Sequence, residues 1–364
     1  MRFFVNPAPL PSPARVLATL DDRPWSREEL IELPSGERRV RKTGLAPGPW
    51  GVHSVRAETH YLLNLRPGAA EHFPPVRAAW GLDHTATETG YERETATCWR
   101  SAAEWVAREA LLQGQADRLQ DDLAEALFNH LQQPESPRPA LAAHLEDALS
   151  QILAQLGHAP QTAPLAHAAE VLVNGRPVDG LLRSLHKLLA RGEPARSLGR
   201  VPHVLLHGNL TLEHILWRED ARAGAEARPT DWAGRPRLLF SSPVSEAGIA
   251  LGPALFDQVR YEFSAGGERF ALAQGLVEAL PEGDSASLLQ FRFRIRWEDP
   301  SMRPFRLVDL RRRVRGAFAA RHGEMPLALQ RLLEAYFLLT EAVHAPAERR
   351  LAYALKAAEA LHDA

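Results

Sequence analysis

Residues 203–217 read HVLLHGNLTLEHILW, which places three imidazoles and one carboxamide in a single short stretch. Imidazole titrates near neutrality and ligates transition metals, so His203, His207 and His214 raise the question of a zinc site. A strand-like run from His203 to Leu206 meets a His-Gly turn. His203 and His207 therefore belong to a strand and its turn, not to one helix face, and that placement argues against zinc. His207 is expected to brace the turn through hydrogen bonds in preference to exchanging protons with a substrate. The Asn209 amide can hold a hydroxyl group by hydrogen bonding, but it cannot accept its proton. His214 stands five residues after Asn209. An imidazole there is a poor ligand for magnesium, a hard cation that prefers oxygen.

Two further groups of residues bear on binding. Of the 43 basic residues only Lys42, Lys187 and Lys356 are lysines. In a chain that otherwise uses arginine, a lysine at a special position carries some information, because a compact ammonium is not equivalent to a guanidinium fork. The run LRRRVRG supplies Arg311, Arg312, Arg313 and Arg315, with Arg303 and Arg306 just before it. It is the best candidate in the chain for a phosphate or nucleic-acid contact, although runs of this kind are usually a solvated helix face.

The elements that must position these groups follow from pattern and punctuation. EELIELPSGERRVRK (28–42) has two strand-like runs around PSG and predicts a hairpin. RAETHYLLNL (56–65) has apolar residues at helical spacing and stops before Pro67. PPVRAAWGL and RETATCWRS read as two more strands. After Ser101 the chain turns to amphipathic helical patterns, among them LAAHLEDALSQILAQL, DGLLRSLHKLLARG, LALQRLLEAYFLLTEAV and ERRLAYALKAAEAL. The strand-like 203–217 loop interrupts them. A hydrophilic stretch, 218–236, and a short apolar strand, RLLF, come next. Residues 1–100 thus read as a small sheet-rich lobe and 101–364 as a larger, mainly helical one.

Taken in order, these fragments resemble the aminoglycoside phosphotransferase-like family, small-molecule relatives of the protein kinases, over nearly the whole chain. LLHGNLTLEHILW is similar to that family's His-Gly-Asp catalytic loop, and GPALFDQVRY to its Gly-x-Pro…Asp stretch through Gly252, Pro253 and Asp257. The resemblance implies an α+β, two-lobed protein-kinase-like fold. It puts Lys42, in VRK, in the phosphate-pairing role and Glu58, in RAETHYLLNL, as the acid that orients it. It implies that Asp257 fastens the loop structurally, and it raises ATP and magnesium as cofactors.

The same resemblance exposes three departures. Asn209 stands where the family has its proton-handling Asp, and His214 where it has a metal-binding Asn. Ser241, after RLLF, stands where it has a metal-binding Asp. Phosphoryl transfer asks for placed metal ions, a neutralised phosphate tail and a group that orients the nucleophile. All three changes weaken that set. Asp231, in TDW, is the alternative metal ligand: it lies 17 positions after His214, against 27 for Ser241. Yet EARPT before Asp231 is no strand, and Asp257 lies 16 positions after Ser241 but 26 after Asp231. The reading is therefore an enlarged hairpin loop over 218–236 with Asp231 exposed. Glu246 is a further carboxylate within reach of a metal. The lid region LATLDDRPWSREEL has no glycine, which removes free backbone amides that would hold phosphates.

Bulk properties set outer limits. The 364 residues exceed a usual single core, and 45% hydrophobic with 24% charged residues describes a folded globular chain. A net charge of −2 gives no global attraction to nucleic acid or to an anionic membrane. One cysteine, Cys98, excludes an intramolecular disulfide and a cysteine-based zinc site. No stretch approaches the roughly 20 apolar residues needed to span a bilayer, and the start has no signal-peptide core, so a cytoplasmic location is expected. The leading expectation is a pseudokinase-like protein that binds a small molecule or protein partner and whose phosphoryl transfer is lost or impaired. The alternatives are an active ATP- and magnesium-dependent phosphotransferase acting on a hydroxyl, and a nucleic-acid-binding accessory protein using the arginine run.

Overall fold

In the chain's computed structural model the described residues are 13–23, 25–46, 51–96, 99–108, 111–135, 141–191, 203–218, 237–243, 251–285 and 288–362. β1 (Arg15–Asp22), β2 (Ser26–Glu32) and β3 (Arg38–Gly44) form an antiparallel meander, with the PSG turn between β2 and β3. Gly36 in that turn has φ +81°, a conformation that glycine adopts without steric cost. Helix α1 (Val52–Leu63) and the short α2 (Pro67–Ala70) lead to β4 (Val76–Trp80) and β5 (Thr89–Glu94). The five strands make one sheet in the order β1-β2-β3-β5-β4. α1 lies on β3 and β5, where Val55, Ala79 and Tyr91 are buried together.

β5 departs from the sequence reading, which placed a strand at RETATCWRS. The strand is the preceding TGYERE, and RETATCWRS contributes only its first two residues to β5 and its last two to β6 (Arg100–Ser101). Its polar appearance comes from charges buried in pairs: Glu92 accepts from Arg39 and Arg41, and Arg93 donates to Glu28. Paired charges are the ones that an interior tolerates.

α3 (Ala102–Ala107) and α4 (Gln113–Glu125) follow β6, and the chain then runs through a π-helical turn, Ala126–Leu131. β7 (Pro134–Glu135), α5 (Leu141–His158), α6 (Ala163–His167), β8 (Glu170–Val173), β9 (Arg176–Asp179) and α7 (Leu181–Arg191) come next. β10 (His203–Leu205), β11 (Ile215–Trp217), β12 (Leu238–Phe240) and β13 (Leu251–Pro253) frame the loop. α8 (Leu255–Ala265), α9 (Glu268–Ala273), β14 (Val277–Ser285), β15 (Leu288–Ile295), α10 (Arg303–Leu307), α11 (Arg312–His322), α12 (Leu327–His344) and α13 (Ala347–His362) complete the chain.

By packing, Met1–Trp105, Asp121–Gln133 and Leu205–Ala250 form one unit, and Val106–Gln120, Pro134–Val204 and Leu251–Ala364 form the other. The loop region groups with the N-terminal sheet because β11 pairs both with β12 and with β6, in the order β12-β11-β6. The β11–β12 register, Ile215 opposite Phe240 and Trp217 opposite Leu238, is that of a hairpin whose connection is 218–237. Asp231 lies in that connection, outside the described residues.

The second unit is built on α5, α7, α8, α12 and α13. α12 and α13 form an antiparallel-looking sequence pair around Ala345–Pro346, and both bury most of one side. This unit also holds a four-stranded sheet, β14-β15-β8-β9, which the helical patterns did not foretell. Its longest strand, VEALPEGDS, contains Pro281 and Gly283 at a register shift, so it has the punctuation of a loop while pairing as a bulged edge strand. The architecture is α+β: an antiparallel sheet with a helix across β3 and β5, a loop closed by a short hairpin, then mainly helices.

Candidate functional site

The β2–β3 hairpin sets Glu28 opposite Lys42, and β3–β5 pairing sets Lys42 opposite Tyr91. Across from them α1 presents Glu58. Lys42 Nζ donates to Glu58 Oε2 at 2.7 Å, and Tyr91 Oη donates to Glu58 Oε1 at 2.7 Å. Both carboxylate oxygens are thereby engaged in a setting where the Glu58 side chain is 3% exposed and that of Lys42 is 17% exposed. Burial acts against the Lys42 charge, but Glu58 and Glu28 outweigh it and hold the ammonium above the ordinary lysine pKa. Glu28 is half-buried, which acts against its charge, but Arg93 and then Lys42 keep its carboxyl below the usual range. Burial, reinforced by Glu58, raises the Tyr91 phenol well above its ordinary value. The arrangement is a fixed cation, oriented by a carboxylate that cannot easily turn away.

The loop is fixed by its backbone and by rings. Gly208 takes φ +78° at the His-Gly turn. The His207 ring is fully buried and accepts the Asn209 N–H at Nδ1, 3.2 Å. Burial pushes its pKa down to about 3, against a hydrogen bond with the Ser241 backbone, so the ring is neutral and braces the turn. It stacks on Phe73 at 6.1 Å between centroids and tilts against Phe240 at 5.2 Å. Phe73 in turn meets Tyr61 of α1 edge-on at 5.9 Å. A continuous run of rings therefore joins the helix that carries Glu58 to the loop. His72 strengthens the link, because its carbonyl accepts the Phe240 N–H at 2.6 Å and its Nδ1 lies 3.0 Å from the Leu238 carbonyl.

Asn209, His214 and Ser241 come together through this scaffold. Ser241 N–H donates to the His214 carbonyl at 2.9 Å, and Asn209 Nδ2 points to the Ser242 carbonyl at 3.5 Å. Ser242 has φ +46°, a left-handed conformation uncommon outside glycine, and the backbone is strained at this point. The donor set does not fit magnesium. It consists of an amide, an imidazole and a hydroxyl, while the ion calls for oxygen ligands that include carboxylates. Glu213, the carboxylate within 203–218, is exposed, and 237–243 contains none. Among the described residues no group of three or more His, Cys, Asp or Glu side chains converges as a metal site would require. Asp231 and Glu246 lie outside the described residues.

Asp257, on α8, is completely buried. The arginine run is largely committed to its own unit. Arg312 and Arg313 pair with Asp117 at 3.4 and 3.3 Å, and Arg315 pairs with Glu262 at 2.5 Å. Arg311 packs its guanidinium near Gly266, and Arg303 and Arg306 lie on α10. Sequence reasoning missed Tyr91, Glu28, Phe73 and Phe240. Glu28 was legible, since a hairpin around PSG puts it across from Lys42. The others depend on contacts between elements distant in sequence.

No family model and no curated protein matches the sequence. Solved structures that resemble the chain include several small-molecule kinases and a maize receptor kinase domain. A glucosamine kinase in complex with glucosamine, ADP and inorganic phosphate is 13% identical, with 99% of this chain and 95% of that chain covered and a TM-score of 0.43. An amicoumacin kinase in complex with AMP-PNP, Ca2+ and Ami is 11% identical, covering 96% and 87%, at 0.44. The apoenzyme of a macrolide 2'-phosphotransferase from Brachybacterium faecium is 16% identical, covering 95% and 91%, at 0.39.

Proposed function

We propose that this chain is a kinase-fold binding protein whose phosphoryl transfer is lost or impaired, and that its ligand meets the Lys42 ammonium. The observation that carries the reading is a contrast within one unit. The Lys42–Glu58–Tyr91 cluster is intact, with hydrogen bonds of 2.7 Å on both Glu58 oxygens. The Asn209, His214 and Ser241 positions, by contrast, offer no carboxylate for a proton or a metal. A fixed cation without a metal cradle favours anion binding over turnover, because phosphoryl transfer depends on placed metal ions as well as a neutralised phosphate tail.

A thermal-shift titration with ATP, with and without magnesium, tests this on the wild type, Lys42→Ala and Lys42→Arg. The reading expects stabilisation that does not depend on magnesium, is lost in Lys42→Ala and is partly kept in Lys42→Arg. Magnesium-dependent stabilisation, together with turnover abolished by Asp231→Ala or Glu246→Ala, would overturn it in favour of an active phosphotransferase.

A further inference from the structure

Between the end of α1 and the start of β4 the first unit contains a cavity of about 540 Å3. That volume lies within the range of small-molecule sites. Neither Lys42 nor any residue of the 203–218 loop lines it, so it is distinct from the site described above. Leu62, Leu63 and Val76 give it apolar walls.

Its polar character is one-sided. Pro67, Pro74 and Pro75 line it and have no N–H to donate. The N–H groups of three other lining residues, Ala70, Glu71 and Phe73, are already donated to the carbonyls of Arg66, Pro67 and Ala70. Those of Leu62 and Leu63 belong to the α1 ladder. Glu71 is the one charged side chain among the described residues lining the cavity, and no Lys, Arg or His accompanies it. Among the described lining residues an anion would find no cation, and Glu71 would repel it. An ammonium group would find a carboxylate, and the apolar part of the same molecule would find the leucine and proline walls.

We propose that this cavity is a binding site for an apolar organic ammonium, with the cation at Glu71 and the hydrocarbon body against Leu62, Leu63 and Val76. Phe73 belongs both to the cavity wall and to the ring contact with His207, so an occupant touches a side chain that braces the 203–217 loop.

Isothermal titration of the full chain with phenylbutylammonium tests the site, with phenylbutanoate and phenylbutanol as matched probes. The expected result is saturable binding of the ammonium at a single site, about tenfold tighter than the carboxylate, a ratio set by a partly exposed charge pair gained in one case and a like-charge contact in the other. Glu71→Gln should erase that preference and leave the alcohol unchanged. Ala70→Trp, at an exposed rim position, should fill the cavity and remove binding of all three. Equal affinity for ammonium and carboxylate, no saturable ammonium binding, or binding indifferent to Ala70→Trp would each overturn the proposal. Should Ala70→Trp fail to fold, the exposed Glu71→Gln change decides alone.

Discussion

Lys42 and Glu58 show how much one pair of residues is asked to hold. Removing one partner of a buried ion pair leaves an uncompensated charge, at a cost of about 3 kcal/mol or more. Lys42→Met should therefore lower the urea-unfolding free energy by about that amount, and Glu58→Gln should offset part of it. The double variant is expected to recover at least about 1 kcal/mol relative to the sum of the single changes. Strict additivity would mean that the pair is not coupled. His207 gives a pH-dependent prediction. The folded ring takes up a proton only near pH 3, whereas an ordinary imidazole does so at about 6.5. Between those values the unfolded chain holds the extra proton, so stability falls as pH drops through that window. His207→Phe removes the titration, and its stability should fall less steeply there, by up to about 1.4 kcal/mol per pH unit. Parallel slopes for wild type and variant would show that the ring is protonated in the fold. Lys42, Glu58 and His207 were legible as residue types in a motif. The ring contacts that hold His207 were not, since Phe73 lies far from it in sequence and nothing local marks it.

At the scale of elements, the hairpin that closes the loop is core structure, while the edge of the second unit's sheet is not. Leu239, on β12, is fully buried, and Leu239→Ala should cost about 2–5 kcal/mol. Leu280, on β14, is 58% exposed, and Leu280→Ala should stay within about 0.5 kcal/mol. Chemical denaturation of the two variants checks the contrast, and equal losses would contradict the assignment of β12 to the core. Elements with a strong period or a clear turn were readable in advance: the β2–β3 hairpin, α1, RLLF, and the two C-terminal helices, each within a few residues. β5 was displaced because its buried charges look like surface. β14 was missed because Pro281 and Gly283 look like loop. In both cases a tertiary partner supplies what the local pattern lacks: Arg39, Arg41 and Glu28 for the charges of β5, and a bulged register with β15 for β14.

The whole molecule has a net charge of −2, and its arginine run is paired in large part within its own unit. Oligonucleotide binding, followed by fluorescence anisotropy at physiological salt, is expected to be absent. Tight binding that falls steeply with added salt would instead assign the run to nucleic acid. The fold class was accessible from the order of the fragments, whereas the grouping of the loop with the N-terminal sheet required the β6–β11 pairing to be seen. The proposed loss of phosphoryl transfer rests on Asn209, His214 and Ser241. The most direct test measures ATP hydrolysis, with water as the acceptor and magnesium present, for the wild type and for the triple variant Asn209→Asp, His214→Asn, Ser241→Asp. The account predicts no turnover above buffer for the wild type and measurable turnover for the triple variant. Wild-type turnover equal to or above that of the triple variant would contradict it.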